Sequence, residues 1–143
     1  MRTHDMMEWY SAEELHTASQ SWLVELEFIK NEHLFFEDLA TSFTLQLVEV
    51  KGFEKNNKMV DALNNSKRKN ELLIKEIKMH DKDLKLLVDA INQPKEESNY
   101  RKEHKALMAK VGEYLIEYKS LKTQLFAIFK DVFKREKQKR LMA

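Results

Sequence analysis

Three of the five histidines in this 143-residue chain fall where chemistry would need them. His33 is followed four residues later by Glu37. On a helix, that spacing puts an imidazole and a carboxylate one turn apart on one face, where together they can chelate a metal ion. His80 and His104 lie on two further helical stripes. Carboxylate-bridged metal centres are assembled inside helical bundles from such side chains. The candidate metal ligands are therefore His33, Glu37, His80 and His104. The competing reading is structural: buried histidines hydrogen-bonded to Asn, Tyr or Glu, fixing the alignment of the helices.

The His33-x-x-x-Glu37 pair resembles one fragment of the hemerythrin-like family, and the resemblance covers these two residues. That family also carries a second spaced histidine pair and a His/Asp pair on other helices. Here His80 is followed at the fourth position by Leu84, and His104 by Met108. A ferritin-like site needs two Glu-x-x-His motifs, and the chain offers Glu13-x-x-His16 alone. No cofactor is assigned on these grounds. The chain also lacks a phosphate-binding glycine loop, a dinucleotide fingerprint and a nucleophile elbow, so no catalysis is expected.

The elements that would position these residues are long helices. From Trp22 the apolar stripe reads Leu26, Ile29, His33, Phe36, Ala40, Phe43, Leu47, Val50. Steps of four and three alternate without a break, the 3.5-residue repeat of a helix that buries one seam. A second seam reads Leu63, Ser66, Asn70, Leu73, Ile77, His80, Leu84, Leu87, Ile91. A third reads Tyr100, His104, Leu107, Val111, Tyr114, Tyr118, Leu121, Leu125, Ile128, Val132. Ser11-Ala-Glu-Glu14 is a capping box that starts the first helix, and Gly52 suits its end. Asn56 or Asn57 would cap the second helix, and Pro94 suits the first turn of the third. The spacing predicts helices over residues 11–51, 56–92 and 95–137, each about 60 Å long at 1.5 Å per residue. Residues 1–10 form an arm or short helix, residues 11–138 one domain, and residues 139–143 a frayed basic tail. Gly112, inside the third helix, would permit a close helix approach.

Short connections make neighbours antiparallel. The expected fold is therefore all-α: an elongated antiparallel three-helix bundle, up-down-up, with coiled-coil-like seams. Aligning the helices about their turns places His80 and His104 within about one helical turn of each other. It also places Ser66 and Asn70 level with Tyr118, a core polar layer in which Asn70, Tyr118 and Glu37 would satisfy one another.

Composition narrows the partners. Two glycines and one proline leave room for few sharp turns. The absence of cysteine removes disulfides and thiolate chemistry and fits a cytoplasmic location. No apolar run approaches the ~20 residues of a membrane span. Residues 1–50 hold two basic and ten acidic residues, and the rest hold 23 basic and 14 acidic. The acidic first helix thus complements its basic neighbours. A basic surface for nucleic acid or a membrane, built on Lys67, Arg68, Lys69 and the C-terminal tail, is the second alternative to the structural reading. Apolar residues beyond the seams, above all Phe28, Phe35, Leu39, Phe126, Phe129 and Phe133, exceed what one core needs. They predict an interaction surface for a second copy or another helical protein, and hence an interaction or scaffolding module.

Overall fold

The computed structural model describes residues 10–89 and 94–142, and the side chains of residues 88 and 89 lie outside that description. All described residues except Tyr10, Ser11, Phe43 and Gly52 are helical. The helices are α1 (Ala12–Ser42), α2 (Thr44–Lys51), α3 (Phe53–Asp89) and α4 (Pro94–Met142). No strand occurs among the described residues, so the protein is all-α. No described helix is long and apolar enough to cross a membrane.

The helix starts follow their sequence signals. The Ser11 N–H donates to Glu14 Oε1 at 3.3 Å and the Glu14 N–H donates to Ser11 Oγ at 3.1 Å, completing the capping box. Pro94 opens α4, where its missing N–H costs nothing. Gly52 ends α2 with φ 87° and ψ 158°, a region open essentially to glycine alone, and its N–H donates to Val48 O at 2.8 Å.

Three boundaries differ from expectation. The helix expected over residues 11–51 is two helices, so four are described where three were expected. The Thr44 hydroxyl donates to the carbonyls of Ala40 (2.8 Å) and Thr41 (3.1 Å). Such back-bonding bends a helix, and Phe43 is displaced to φ −114°, ψ 27°. The bonds from Phe43 N–H to Leu39 O and from Leu47 N–H to Phe43 O still cross the break. Next, α3 begins at Phe53 rather than residue 56. The Asn56 N–H already bonds to Gly52 O at 3.1 Å, so Asn56 sits in the first turn and is no cap. Finally, the basic tail is helical to Met142 instead of fraying. Lys139 pairs there with Glu49 (3.0 Å) and Glu136 (3.6 Å), which relieves its like-charge repulsion. The expected arm falls outside the described residues up to residue 9, as does the expected end of the second helix at residue 92.

Where the sequence reads as one domain, contacts group the chain into two compact units. Unit 1 is Met1–Ile29 with Asn70–Tyr114, and unit 2 is Lys30–Lys69 with Leu115–Ala143. Within unit 2, Phe36, Leu47, Met59, Leu63, Leu125, Phe129 and Val132 form one apolar cluster. Unit 1 has a smaller cluster of Leu15, Leu84 and Tyr100, against which Tyr10 packs. Arg101 holds that entry point by donating from Nη1 to the Tyr10 carbonyl at 2.7 Å. Every described seam residue is buried or half-buried. The buried ones enclose the apolar surface whose removal from water drives folding, about 25 cal/mol per Å².

Candidate functional site

In unit 1, α3 brings His80 and α4 brings His104 into direct contact. His80 Nε2 lies 2.9 Å from His104 Nδ1, and both rings are buried. Tyr100, one turn before His104, stacks on His80 with ring centroids 4.0 Å apart and planes 6° from parallel. The Trp22 ring lies 4.7 Å from the His104 ring. Glu103 Oε1 stands 3.4 Å from His80 Nδ1. That carboxylate favours a proton on His80 Nδ1. His80 Nε2 is then the acceptor and the His104 Nδ1–H the donor.

Burial holds the pair neutral. It pushes His104 from 6.5 down to about 4, assisted by the neighbouring His80 and Arg101. It lowers His80 as well, against the opposing pull of Glu103, Asp83 and Asp81. Burial also raises Tyr100 above the usual phenol range. Its hydroxyl has no hydrogen-bond partner among the described residues. A cleft of about 290 Å³, lined by Asp83, Glu96, Tyr100 and Glu103 among others, opens beside this stack.

The four candidate ligands divide between the two units. His80 and His104 belong to unit 1, and His33 and Glu37 to unit 2. His33 Nε2 lies 2.9 Å from Ser66 Oγ, and its ring meets Tyr118 edge-on at 5.2 Å. Glu37 pairs with Lys67 at 3.0 Å. Among the described residues no group of three or more His, Cys, Asp or Glu side chains is placed to hold a metal ion.

The expected polar layer is rearranged. Ser66 joins His33, but Tyr118 donates to Glu32 at 3.1 Å rather than meeting Asn70 or Glu37. Glu32 also takes Lys122 at 2.6 Å. Asn70 is buried with neither amide atom hydrogen-bonded among the described residues. One cluster escaped sequence reasoning. Asp81, 8% exposed, accepts from His16 Nδ1 at 2.7 Å and from Gln20 Nε2 at 3.1 Å. His16 and Gln20 sit one turn apart on α1, and that spacing was the available signal.

Of the basic residues considered for nucleic acid, Lys134, Arg135, Lys137 and Arg140 of the tail are exposed, and four others are paired within the chain. Lys67 pairs with Glu37, Lys69 with Glu117, Lys139 with Glu49, and Arg68 donates to Asn65 Oδ1.

The surplus phenylalanines divide into two sets. Phe129 is not part of a surface: it is 2% exposed at the centre of the unit 2 cluster, and Leu39 is half-buried against that cluster. Phe35, Phe126 and Phe133 of unit 2 are exposed, as is Phe28 of unit 1. Phe126 meets the buried Phe36 edge-on at 5.4 Å, and the Phe35 ring lies 5.8 Å from that of Phe36. Phe133 meets Phe43 at 5.2 Å. On α1 and α4 of unit 2, the exposed rings Phe35, Phe126 and Phe133 thus each rest on a deeper ring, Phe36 or Phe43.

No family model matches the chain, and no curated protein or solved structure matches it either.

Proposed function

We propose that the protein is a helical interaction module, folded as an up-down-up bundle, that docks a helix on the α1/α4 face of unit 2. The observation that carries this reading is the aromatic face itself. Phe35 (54% exposed) and Phe126 (51% exposed) rest on Phe36, which is buried. Rigid rings left half in water on a packed base cost little entropy to use and supply much contact area. A groove between two helices is the usual seat for the apolar stripe of a third. Two sets of pairs support the bundle arrangement. In unit 2, Glu32 pairs with Lys122 and Glu49 with Lys139, as between parallel helices. In unit 1, Glu76 pairs with Lys110 and His80 meets His104, as between antiparallel ones.

Site-specific photo-cross-linking of the full chain in cells tests the module. A photoreactive phenylalanine analogue at position 35 or 126 is expected to give a cross-linked product. The same group at Leu72, an exposed residue of unit 1, is expected to give none. No product at 35 and 126, or equal product at 72, would contradict the reading.

A further inference from the structure

We infer that the occupant of the aromatic face is a second copy of this chain, related by a two-fold axis, so that α1 of each copy lies against α4 of the other. This rests on the reading of that face as a docking surface and adds the identity of the partner. Charge at the rim of the face selects this occupant. On the α1 side the rim carries Asp38, which is exposed. On the α4 side it carries Lys119, about two turns before Phe126, and Lys130, about one turn after it, both exposed. None of these three makes an ion pair among the described residues. Other charges near the face are already matched within the chain: Glu32 with Lys122 and Glu37 with Lys67.

A two-fold contact is isologous, so every pair forms twice. Laying the Asp38 rim of each copy on the lysine rim of the other then sets opposite charge on both sides of the groove, and Phe35 of each copy meets Phe126 of the other. A face with like charge on both rims would repel its own copy; this one is self-complementary. The apolar centre with a polar rim is the composition of a specific interface, in which the rings supply the affinity and the rim charges the register.

Sedimentation equilibrium on the full chain tests the inference. The wild type is expected to fit a monomer–dimer equilibrium. Asp38→Lys alone, and Lys119→Glu with Lys130→Glu together, are each expected to weaken dimerisation about tenfold or more. Mixing those two variants restores every opposite-charge pair, so the mixture is expected to dimerise as the wild type does. These are surface changes, and folding of each variant is checked by its helical circular dichroism. A wild type that stays monomeric at all concentrations would overturn the inference, as would charge variants that dimerise unchanged. A cross-link from Phe126 to a different protein, with the chain itself monomeric, would overturn the second copy while leaving the docking face in place. No cross-link at all would remove both.

Discussion

The centre of unit 2 is Phe36, which meets Phe126 edge-on and stacks against Phe129 at 6.2 Å. The centre of unit 1 is His80, stacked on Tyr100 and bonded to His104. Both are ring clusters contributed by helices packed side by side, yet they do different work. Phenylalanines pack without regard to hydrogen bonding, so unit 2 can place rings in its core and also leave some outside. Imidazoles must find partners when buried, so unit 1 admits one helix alignment in which His80 and His104 meet. Unit 1 gains register from its buried imidazoles at some cost in stability, and unit 2 gains stability from an aromatic cluster that also leaves rings exposed.

The stability of unit 2 depends most on Phe129, at the centre of its cluster. Phe129→Ala is expected to cost about 3–5 kcal/mol, because it empties the unit 2 cluster, and urea unfolding measures it. A loss under about 1 kcal/mol would mean that this cluster is not the principal store of stability.

Acid should act on unit 1 through the histidine pair. The folded state holds His104 near 4 while an unfolded chain titrates near 6.5. The unfolded state therefore binds more protons in that window. Stability from this group is complete above about pH 6.5 and is lost as the pH falls toward 4, up to about 3 kcal/mol. His80, also lowered, adds a loss of the same sign. His104→Gln keeps a donor for His80 but cannot titrate, so its unfolding free energy should fall less between pH 7 and pH 4 than that of the wild type. Equal slopes would show that the pair is not held neutral.

Two smaller changes should raise stability, both in unit 1. Asn70→Leu replaces a buried amide without partners by an apolar group, and about 1 kcal/mol is expected. Gly112→Ala is expected to gain somewhat less, about 0.5–1 kcal/mol. A Cβ there meets nothing within 4 Å, so Gly112 serves no close helix approach and only weakens α4. Thermal melts of both variants check this. A loss at Asn70 would reveal that its amide is satisfied in solution.

The seams were legible because helical periodicity is imposed by burial along the whole length of an element, and many residues report it together. The meeting of His80 and His104 was legible for the same reason, since turn positions set which residues lie level. What failed depended on single side chains. The first helix is interrupted at the single residue Phe43, where the Thr44 hydroxyl bonds back to two carbonyls, and so local a change leaves no periodic trace. Tyr118 chooses Glu32 over Asn70 through its orientation about the helix axis, which spacing does not specify. Phe129 was read as surplus because a strict 3.5 repeat placed Ile128 on the seam. A straight helix turns every 3.6 residues and drifts from that repeat by about 20° per heptad, which carries the next residue inward. Ile128 is accordingly half-buried and Phe129 buried.

The most direct test of the account is urea unfolding of the wild type and Phe126→Ser over a wide range of protein concentration. A second copy bound only to the folded chain raises the unfolding midpoint by mass action. The wild-type midpoint should therefore climb with concentration, while that of Phe126→Ser stays flat with concentration, somewhat below the wild type's dilute limit because half of the ring packs on Phe36 within the chain. A wild-type midpoint that ignores concentration, or a Phe126→Ser midpoint that climbs with concentration as the wild type's does, would show that the ring belongs to the fold and not to an interface.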